Sequence, residues 1–544
     1  MLDKVEALVL KANNTAEVIK PFSGEVRVVS HHDCDGICSG AIIAKALLRD
    51  GKRFRLSFVR QLTADVVEKL SREGNRLTIF ADMGSGQLDA IQSRLMKSGE
   101  VVVVLDHHQP QGEVLKDRLH QINTYAMGMD GNVSGSGIAY LLARAMSPDN
   151  KDLSELGVVG AIGDSQTDSI GPDWGLFGLN KEILKDAVST GRISVERGLR
   201  IWGKTTRPIH KALEFSMDPY IPGVSGSESG AVHFLQELGI PLKNGNEWRT
   251  LSDLSDEEAR RLSSGIIKER MKGSHENPDW IFGDVYTLAG KGDYSDANEF
   301  ATILNAAGKQ DMGYLGVELC LNSQSAFGEV QDMLDSYRRE IGRALDAVCR
   351  NGDGRIEKRT TPFANYIIAG SAISEHVISN VTSILSRSDA MPELPVFSFV
   401  DAENSMTKIS ARLPDSMSGS INLKDVVAEA AKSAGGEGGG HGSAAGASIP
   451  RGAEQMFINS IETILTNLGK GENTDGRGSE AESQTRRFAK IASGACDGGS
   501  EAGKGREAEG RGERAEAGSE AGAEGRVKVS KAVERQGLVR YISA

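Results

Sequence analysis

Four apolar runs, each breaking off at an acidic or imidazole side chain, constrain this chain more than any other feature. They are Val26 to Gly40 (VRVVSHHDCDGICSG), Leu77 to Asp82 (LTIFAD), Val101 to His108 (VVVVLDHH) and Leu156 to Asp164 (LGVVGAIGD). Near-continuous Val, Ile and Leu suits a strand buried on both faces. In an open parallel sheet, ligands gather beyond the carboxyl ends of the strands, so four such ends would converge on one site. Within the first run His31, Asp33 and Asp35 alternate, and in extended backbone their side chains would share one face. Such groups repel one another unless a cation sits among them.

The surrounding pattern alternates strand and helix. Strands fit at Val26 to Ser30, Arg55 to Val59, Leu77 to Ala81 and Val101 to Leu105; helices fit at Ile37 to Arg49, Thr63 to Arg72, Gly86 to Lys97 and Gly135 to Ala145. Met1 to Lys20 reads as an amphipathic helix. The expected fold is α/β, a doubly wound parallel-sheet domain. Beyond Asp164 the strand signal fades, and Leu179 to Lys272 reads as a mostly helical connector in which no chemistry is legible. A strand at Asp284 to Ala289 leads to a helix that Ser295 or Asp296 can cap, with Phe300, Ile303, Leu304 and Ala307 on one face. A long helix follows from Phe327 to Val348.

From Arg355 a smaller mixed α/β domain is expected. Its strands fall near Tyr366 to Ala369, Pro395 to Val400 and Lys408 to Arg412, and its helices near Leu423 to Lys432 and Glu454 to Leu468. Gly469 to Gly525 is almost free of large apolar residues, so it cannot offset the entropy of folding; only Val527 to Ile542 could dock. The expected division is 1–185, 186–354, 355–469 and a low-complexity tail, 470–544.

The formal net charge is −12 over 544 residues. From Gly471 onward 13 acids face 13 bases, so the whole excess sits in the first 470 residues. A generally basic nucleic-acid glove is excluded, and any such binding has to be local and cation-assisted. No secretory signal or membrane-length apolar run is present, so a soluble, cytoplasmic protein without membrane contact is expected. The cysteines Cys34, Cys38, Cys320, Cys349 and Cys496 are scattered, which excludes a disulfide framework or zinc ribbon.

His31-x-Asp33-x-Asp35-Gly36, Asp82 after a strand, Asp106-His107-His108 after another, and Gly163-Asp164 resemble, in order and spacing, the four motifs of the DHH (Asp-His-His) phosphoesterase superfamily. Gly438, Gly439, Gly440 and His441, followed by Ala444-Ala445-Gly446, resemble the nucleotide-contacting motif of its DHHA1-type accessory domain. FATILNAAGK, Phe300 to Lys309, is similar to the interdomain helix of the archaeal group of RecJ-like nucleases, where bacterial relatives usually carry Arg in place of Lys309. Arg60 and Ser410-x-Arg412 look like phosphate-binding positions of the nuclease members.

That resemblance implies two divalent metal ions, Mn2+ before Mg2+. His31, Asp33 and Asp82 would hold the first, and Asp35, Asp82, His107 and Asp164 the second. It implies that His108 faces the substrate phosphate or the leaving oxygen, while Asp106 orients a histidine. Hard carboxylates mixed with imidazole agree with such ions. The expected activity is hydrolysis of single-stranded DNA or RNA from an end, 5'-to-3' on DNA, in replication or repair, with GINS or replicative-helicase components as partners. Two alternatives stand beside it. One is a small-substrate phosphoesterase acting on short RNA, pAp or cyclic dinucleotides; the other is a replication scaffold with little activity.

Overall fold

The computed structural model describes residues 2–470, except residues 98, 116, 130–132, 168–174, 217–218, 273–277, 350–353, 387, 389–390, 404, 415–416, 418–420 and 441. The expected tail, with Val527 to Ile542, lies outside the described residues. The chain divides inside one long helix into two units, residues 1–338 and residues from 339 on.

In the first unit, helix α1 (Leu2–Ile19) precedes β1 (Val26–His31), α2 (Cys34–Arg49), β2 (Phe54–Val59), α3 (Ala64–Arg72) and β3 (Leu77–Ala81). A single helical turn, α4 (Leu88–Ala90), lies between a 3-10 turn and a π turn. It is followed by β4 (Val101–Leu105), β5 (Leu119–Ile122), α5 (Gly135–Met146) and α6 (Ser154–Gly163). The five strands are all parallel in the order β2-β1-β3-β4-β5. The winding direction therefore reverses between β1 and β3, and the crevice at their carboxyl ends is where such folds bind ligands. Val29, Phe80, Val102 and Val104 face a core shared with Val67, Leu70, Ile91 and Leu95, whereas α2 packs with α5 and α6.

Three expectations need correction. LGVVGAIG does not end in a fourth strand: it is helix α6, with every residue but its last buried. An apolar run buried all round carries no periodicity that separates helix from strand, and here the helix wins through close approach at its glycines. A Cβ on Gly160 would collide with Ser136 Oγ and Asp35 Oδ1. Nor do His31, Asp33 and Asp35 share extended backbone. Only His31 is in the strand; Asp33 is the N-cap of α2, its carboxylate accepting the Gly36 N–H at 3.0 Å, and Asp35 lies in the first helical turn. The helix expected over Gly86 to Lys97 is broken into 3-10, α and π turns. Strand β5 adds to the expected set, because LHQI is short and half polar and carries little strand signal.

The stretch expected to be helical carries α7 (Gly178–Ser189), β6 (Ile193–Leu199), α8 (Ile209–Glu214), α9 (Glu228–Glu237), β7 (Lys243–Asn244), β8 (Glu247–Trp248) and α10 (Asp256–Lys272). β6 pairs antiparallel with β9 (Phe282–Leu288), and β7 with β8. It has a core of its own, including Ile209, Leu213, Phe234, Leu235, Leu262 and Ile266. Asp296 then caps α11 (Ala297–Lys309), its Oδ1 accepting from Asn298 N and Glu299 N, and Phe300, Ile303, Leu304 and Ala307 are buried as expected. Helices α12 (Gly313–Cys320) and α13 (Gln324–Cys349) follow.

The second unit is a six-stranded mixed sheet. Its strands are β10 (Glu357–Thr360), β11 (Asn365–Gly370), β12 (Val396–Asp401), β13 (Met406–Arg412), β14 (Glu437–Gly440) and β15 (Ala444–Pro450), in the order β10-β11-β12-β13-β15-β14. Helices α14 (Ile378–Leu385), α15 (Leu423–Ser433) and α16 (Glu454–Lys470) accompany it. Tyr366, Phe397, Phe399, Phe457 and Ile461 form its centre. No helix among the described residues is long and apolar enough to cross a membrane.

Candidate metal centre

The carboxyl ends of β1, β3 and β4 deliver His31, Asp82 and Asp106-His107-His108; the start of α2 delivers Asp33 and Asp35; the end of α6 delivers Asp164. Asp82 sits at φ 59°, a left-handed conformation uncommon among non-glycine residues and one that Asp and Asn enter more readily than most. Its backbone N–H donates to Leu105 O at 2.7 Å.

Asp82 stands between two groups of donors. On one side its Oδ2 lies 3.4 Å from His31 Nδ1, which is also 3.1 Å from Asp33 Oδ2. On the other its Oδ1 lies 3.3 Å from His107 Nε2, which is 3.5 Å from Asp164 Oδ2 and 3.8 Å from Asp35 Oδ2. Within each of the sets His31–Asp33–Asp82 and Asp35–His107–Asp164 the donor atoms lie within 4.8 Å of one another, and Asp82, His107 and His108 form a third such set. Asp35 is fixed further by helix α5, its Oδ2 accepting from Gly135 N at 2.6 Å and its Oδ1 from Ser136 N at 3.0 Å.

The electrostatics are those of a site short of positive charge. Burial, then repulsion from Asp82 and Asp164, pushes the Asp35 pKa well above its ordinary value. Burial also raises Asp164, helped by Asp82 and Asp33. Burial opposes protonation of His107, yet Asp82, Asp35 and Asp164 together lift its pKa to about 10. His31 is likewise raised by Asp33 and Asp82 against its burial. His31 Nδ1, Asp82 Oδ1 and His107 Nε2 are buried without a hydrogen-bond partner. Buried polar atoms are seldom left so, and cations among these donors would satisfy all three. The residues present therefore fit a divalent ion pair.

Asp106 plays a different part. Almost fully buried, its Oδ1 accepts from His107 N, His108 N and His108 Nδ1 at 2.8, 3.2 and 2.7 Å, and its Oδ2 accepts from Ser85 N at 2.8 Å. Burial would raise its pKa, but these bonds, led by that of His108, bring it down to about 2. His108 is exposed, and the Asp106 hydrogen bond raises its pKa.

Arg60 leaves the end of β2. Its carbonyl lies 3.2 Å from His31 Nε2, and its guanidinium contacts both carboxylate oxygens of Asp311, at 3.1 and 2.9 Å from Nη2. In the second unit Ser410 and Arg412 are on β13 as expected, and Arg412 Nε donates to Ser383 Oγ of α14 at 2.8 Å. Gly438, Gly439 and Gly440 form strand β14 rather than an open loop. A side chain on Gly438 would press on Val427 O of α15, whereas the face at Gly439 is open. His441 lies outside the described residues.

Several neighbours escape the sequence reading. Gln166 Nε2 lies 3.2 Å from His107 Nδ1 and 2.8 Å from Asp164 Oδ2, and its Oε1 accepts from Asn180 at 2.7 Å. Asn305 Oδ1 accepts the Cys34 N–H at 2.9 Å. Asp311 and Ser383 hold the two arginines. Asn305 sits within FATILNAAGK without standing out there, and Gln166, two residues beyond Asp164, is the one that the spacing could have flagged.

Three family models match the chain: the DHH family, N-terminal domain, over residues 25–161; the DHH-CID domain over 201–279, within the stretch where no motif is legible; and the DHHA1 domain over 363–467. The uncharacterized protein MJ0831 of Methanocaldococcus jannaschii is 31% identical over 474 residues, covering 86% of this chain and 99% of that protein. RecJ of Thermus thermophilus in complex with Mn2+ is similar in structure, with a TM-score of 0.50 at 15% identity, covering 89% of this chain but only 59% of RecJ. CDC45 of Entamoeba histolytica is similar with a TM-score of 0.53 at 12% identity, covering 85% of this chain and 98% of CDC45. At such identities these structures establish a shared fold. With the DHH, DHH-CID and DHHA1 domains in that order and the relative matched almost end to end, this chain belongs to the DHH family.

Proposed function

We propose that this chain is a divalent-metal-dependent phosphodiesterase that shortens single-stranded nucleic acid from an end, 5'-to-3' on DNA. The observation that carries the reading is the position of Asp82, one oxygen in the set with His31 and Asp33, the other beside His107, which Asp35 and Asp164 also approach. His31, Asp33 and Asp82 would hold one ion, and Asp35, Asp82, His107 and Asp164 a second. Carboxylate and imidazole together suit Mn2+ or Mg2+. When bound, two such ions supply an activated water and a clamp on the scissile phosphate.

The remaining work falls to the chain's own groups. The Arg60 carbonyl, accepting from His31 Nε2, leaves Nδ1 as the ligand atom. The anionic Asp106 holds His108 Nδ1–H and, by raising the ring's pKa, favours the imidazolium, whose second proton on Nε2 would go to the departing oxygen and leave the neutral Nδ1–H ring. Arg60, already two-pronged on Asp311, has the geometry to grip a phosphate in the same way. Arg412, steadied by Ser383, would receive a terminal phosphate together with Ser410.

The test is a time course on 5'-labelled and 3'-labelled single strands of DNA and RNA, with Mn2+ and with EDTA. Stepwise loss from the 5' end of long strands, abolished by EDTA, is expected. Cleavage confined to very short oligomers would assign a small-substrate phosphoesterase, and no cleavage with Mn2+ would leave the scaffold reading.

A further inference from the structure

A cavity of about 760 Å³ opens between β6, β9 and α10, lined only by residues between Gly198 and Asp296 and sharing none with the metal centre. Its size is that of a small-molecule site. Leu254, Ile267 and Phe282 pack against the local core yet stay partly uncovered, and they form its apolar wall.

The polar groups on the same wall fall into two classes. The Thr205, Ser252 and Ser263 hydroxyls are committed to backbone carbonyls, those of Asp293, Lys204 and Ala259. Asp296 is occupied capping α11, and the nearby Glu299 accepts from Thr206 Oγ1 at 2.6 Å. By contrast, the side chains of Lys204, Arg260, Ser264 and Thr287 show no hydrogen bond or ion pair among the described residues. Lys204 is half-buried, and that burial lowers its pKa even though Asp296, Glu299 and Glu196 work against it. A desolvated ammonium left without a partner is unfavourable unless something else comes to it. Of the charged groups on the wall itself, Lys204 and Arg260 are cationic and Asp296 is anionic, while Glu196 and Glu299 act on Lys204 from outside the lining.

We propose that this cavity binds a small organic anion with an apolar ring or chain body. Its charged group would rest on Lys204 and Arg260, with Ser264 and Thr287 donating to it, and its body on Leu254, Ile267 and Phe282. A nucleoside monophosphate and a medium-chain carboxylate share this chemistry. Neither involves the metal centre, so the proposal stands apart from the nuclease reading.

The probe is 8-anilinonaphthalene-1-sulfonate, titrated by fluorescence into the full chain. Saturable binding with one molecule per chain is expected. Lys204→Met should weaken it on the order of tenfold, the loss of one charge-assisted partner, with Lys204→Arg restoring most of it. Thr287→Phe, an exposed position on the cavity wall, should block entry while leaving the melting temperature unchanged, which covers the case in which Lys204→Met perturbs folding. Displacement by AMP but not adenosine would assign a nucleotide, and displacement by decanoate but not decanol an acyl carboxylate. Unsaturable binding, binding unaltered by both Lys204→Met and Thr287→Phe, or displacement by neither anion would overturn the proposal.

Discussion

Gly135 stands so close to Asp82 that a Cβ on it would lie 2.5 Å from Asp82 Oδ1 and 2.9 Å from Asp82 Cα. The amino end of helix α5 thus reaches the strand end bearing Asp82, and the Gly135 N–H is free to hold Asp35 at 2.6 Å. Only hydrogen at that position allows both.

Gly135→Ala should therefore destabilise the chain by about 1 to 3 kcal/mol, as overpacking does, and displace Asp82. The measurement is the melting temperature with and without Mn2+: both the baseline and the Mn2+-induced increase should fall. Gly328→Ala is the control. It lies inside α13 with open space around it, and alanine there should stabilise by about 0.5 to 1 kcal/mol. Equal effects of the two substitutions would show that the approach to Asp82 is unimportant.

The second prediction concerns acid stability. Arg249 grips both carboxylate oxygens of Glu258, at 2.8 and 2.7 Å, and Ser255 N donates to Glu258 Oε2 at 2.9 Å. Arg249, named first among the causes, and Ser255 lower the Glu258 pKa from 4.5 to about 2. The folded value lies below the unfolded one, so the stabilisation is complete above 4.5 and is lost as the pH falls from there through 2. At this surface the pair is worth about 1 kcal/mol at most. Glu258→Gln should lower the melting temperature at pH 7 by a few degrees and leave it nearly unchanged at pH 2, read by circular dichroism. An equal loss at both pH values would assign the effect to packing.

Arg412→Ala should weaken binding of 5'-phosphorylated single strands by about 1.5 to 3 kcal/mol, the range for a charged hydrogen-bonding partner, without altering Mn2+ binding. Ser383→Ala, which removes only the hydroxyl that steadies Nε, should act in the same direction by about 0.5 to 1.5 kcal/mol. Competition with 5'-hydroxyl strands checks the assignment. Equal losses on both ends would make Arg412 a general backbone contact, and an effect confined to 3'-end removal would reverse the polarity.

How legible each part is depends on whether its physics is local. LTIFA and VVVVL are buried on both faces, and β3 and β4 begin and end where those runs do. Asp296 is legible as a cap because N-caps are local. LGVVGAIGD misleads because a helix buried all round looks like a buried strand. Asp33 and Asp35 read as one strand face because an Asp that caps a helix also fits a turn. The hold of α5 on Asp35, 100 residues away in sequence, and that of Asp311 on Arg60, 251 away, are tertiary and leave no local mark.

Asp82 is proposed to join two cation sites, and counting ions tests this most directly. Isothermal titration of the metal-free chain with Mn2+ should show two ions per chain. Asp82→Asn keeps the side-chain shape and tolerates the left-handed backbone, but should lose or severely weaken both. Asp33→Asn and Asp164→Asn should each weaken one. Two tightly bound ions in Asp82→Asn, or a single ion in the unaltered chain, would contradict the account.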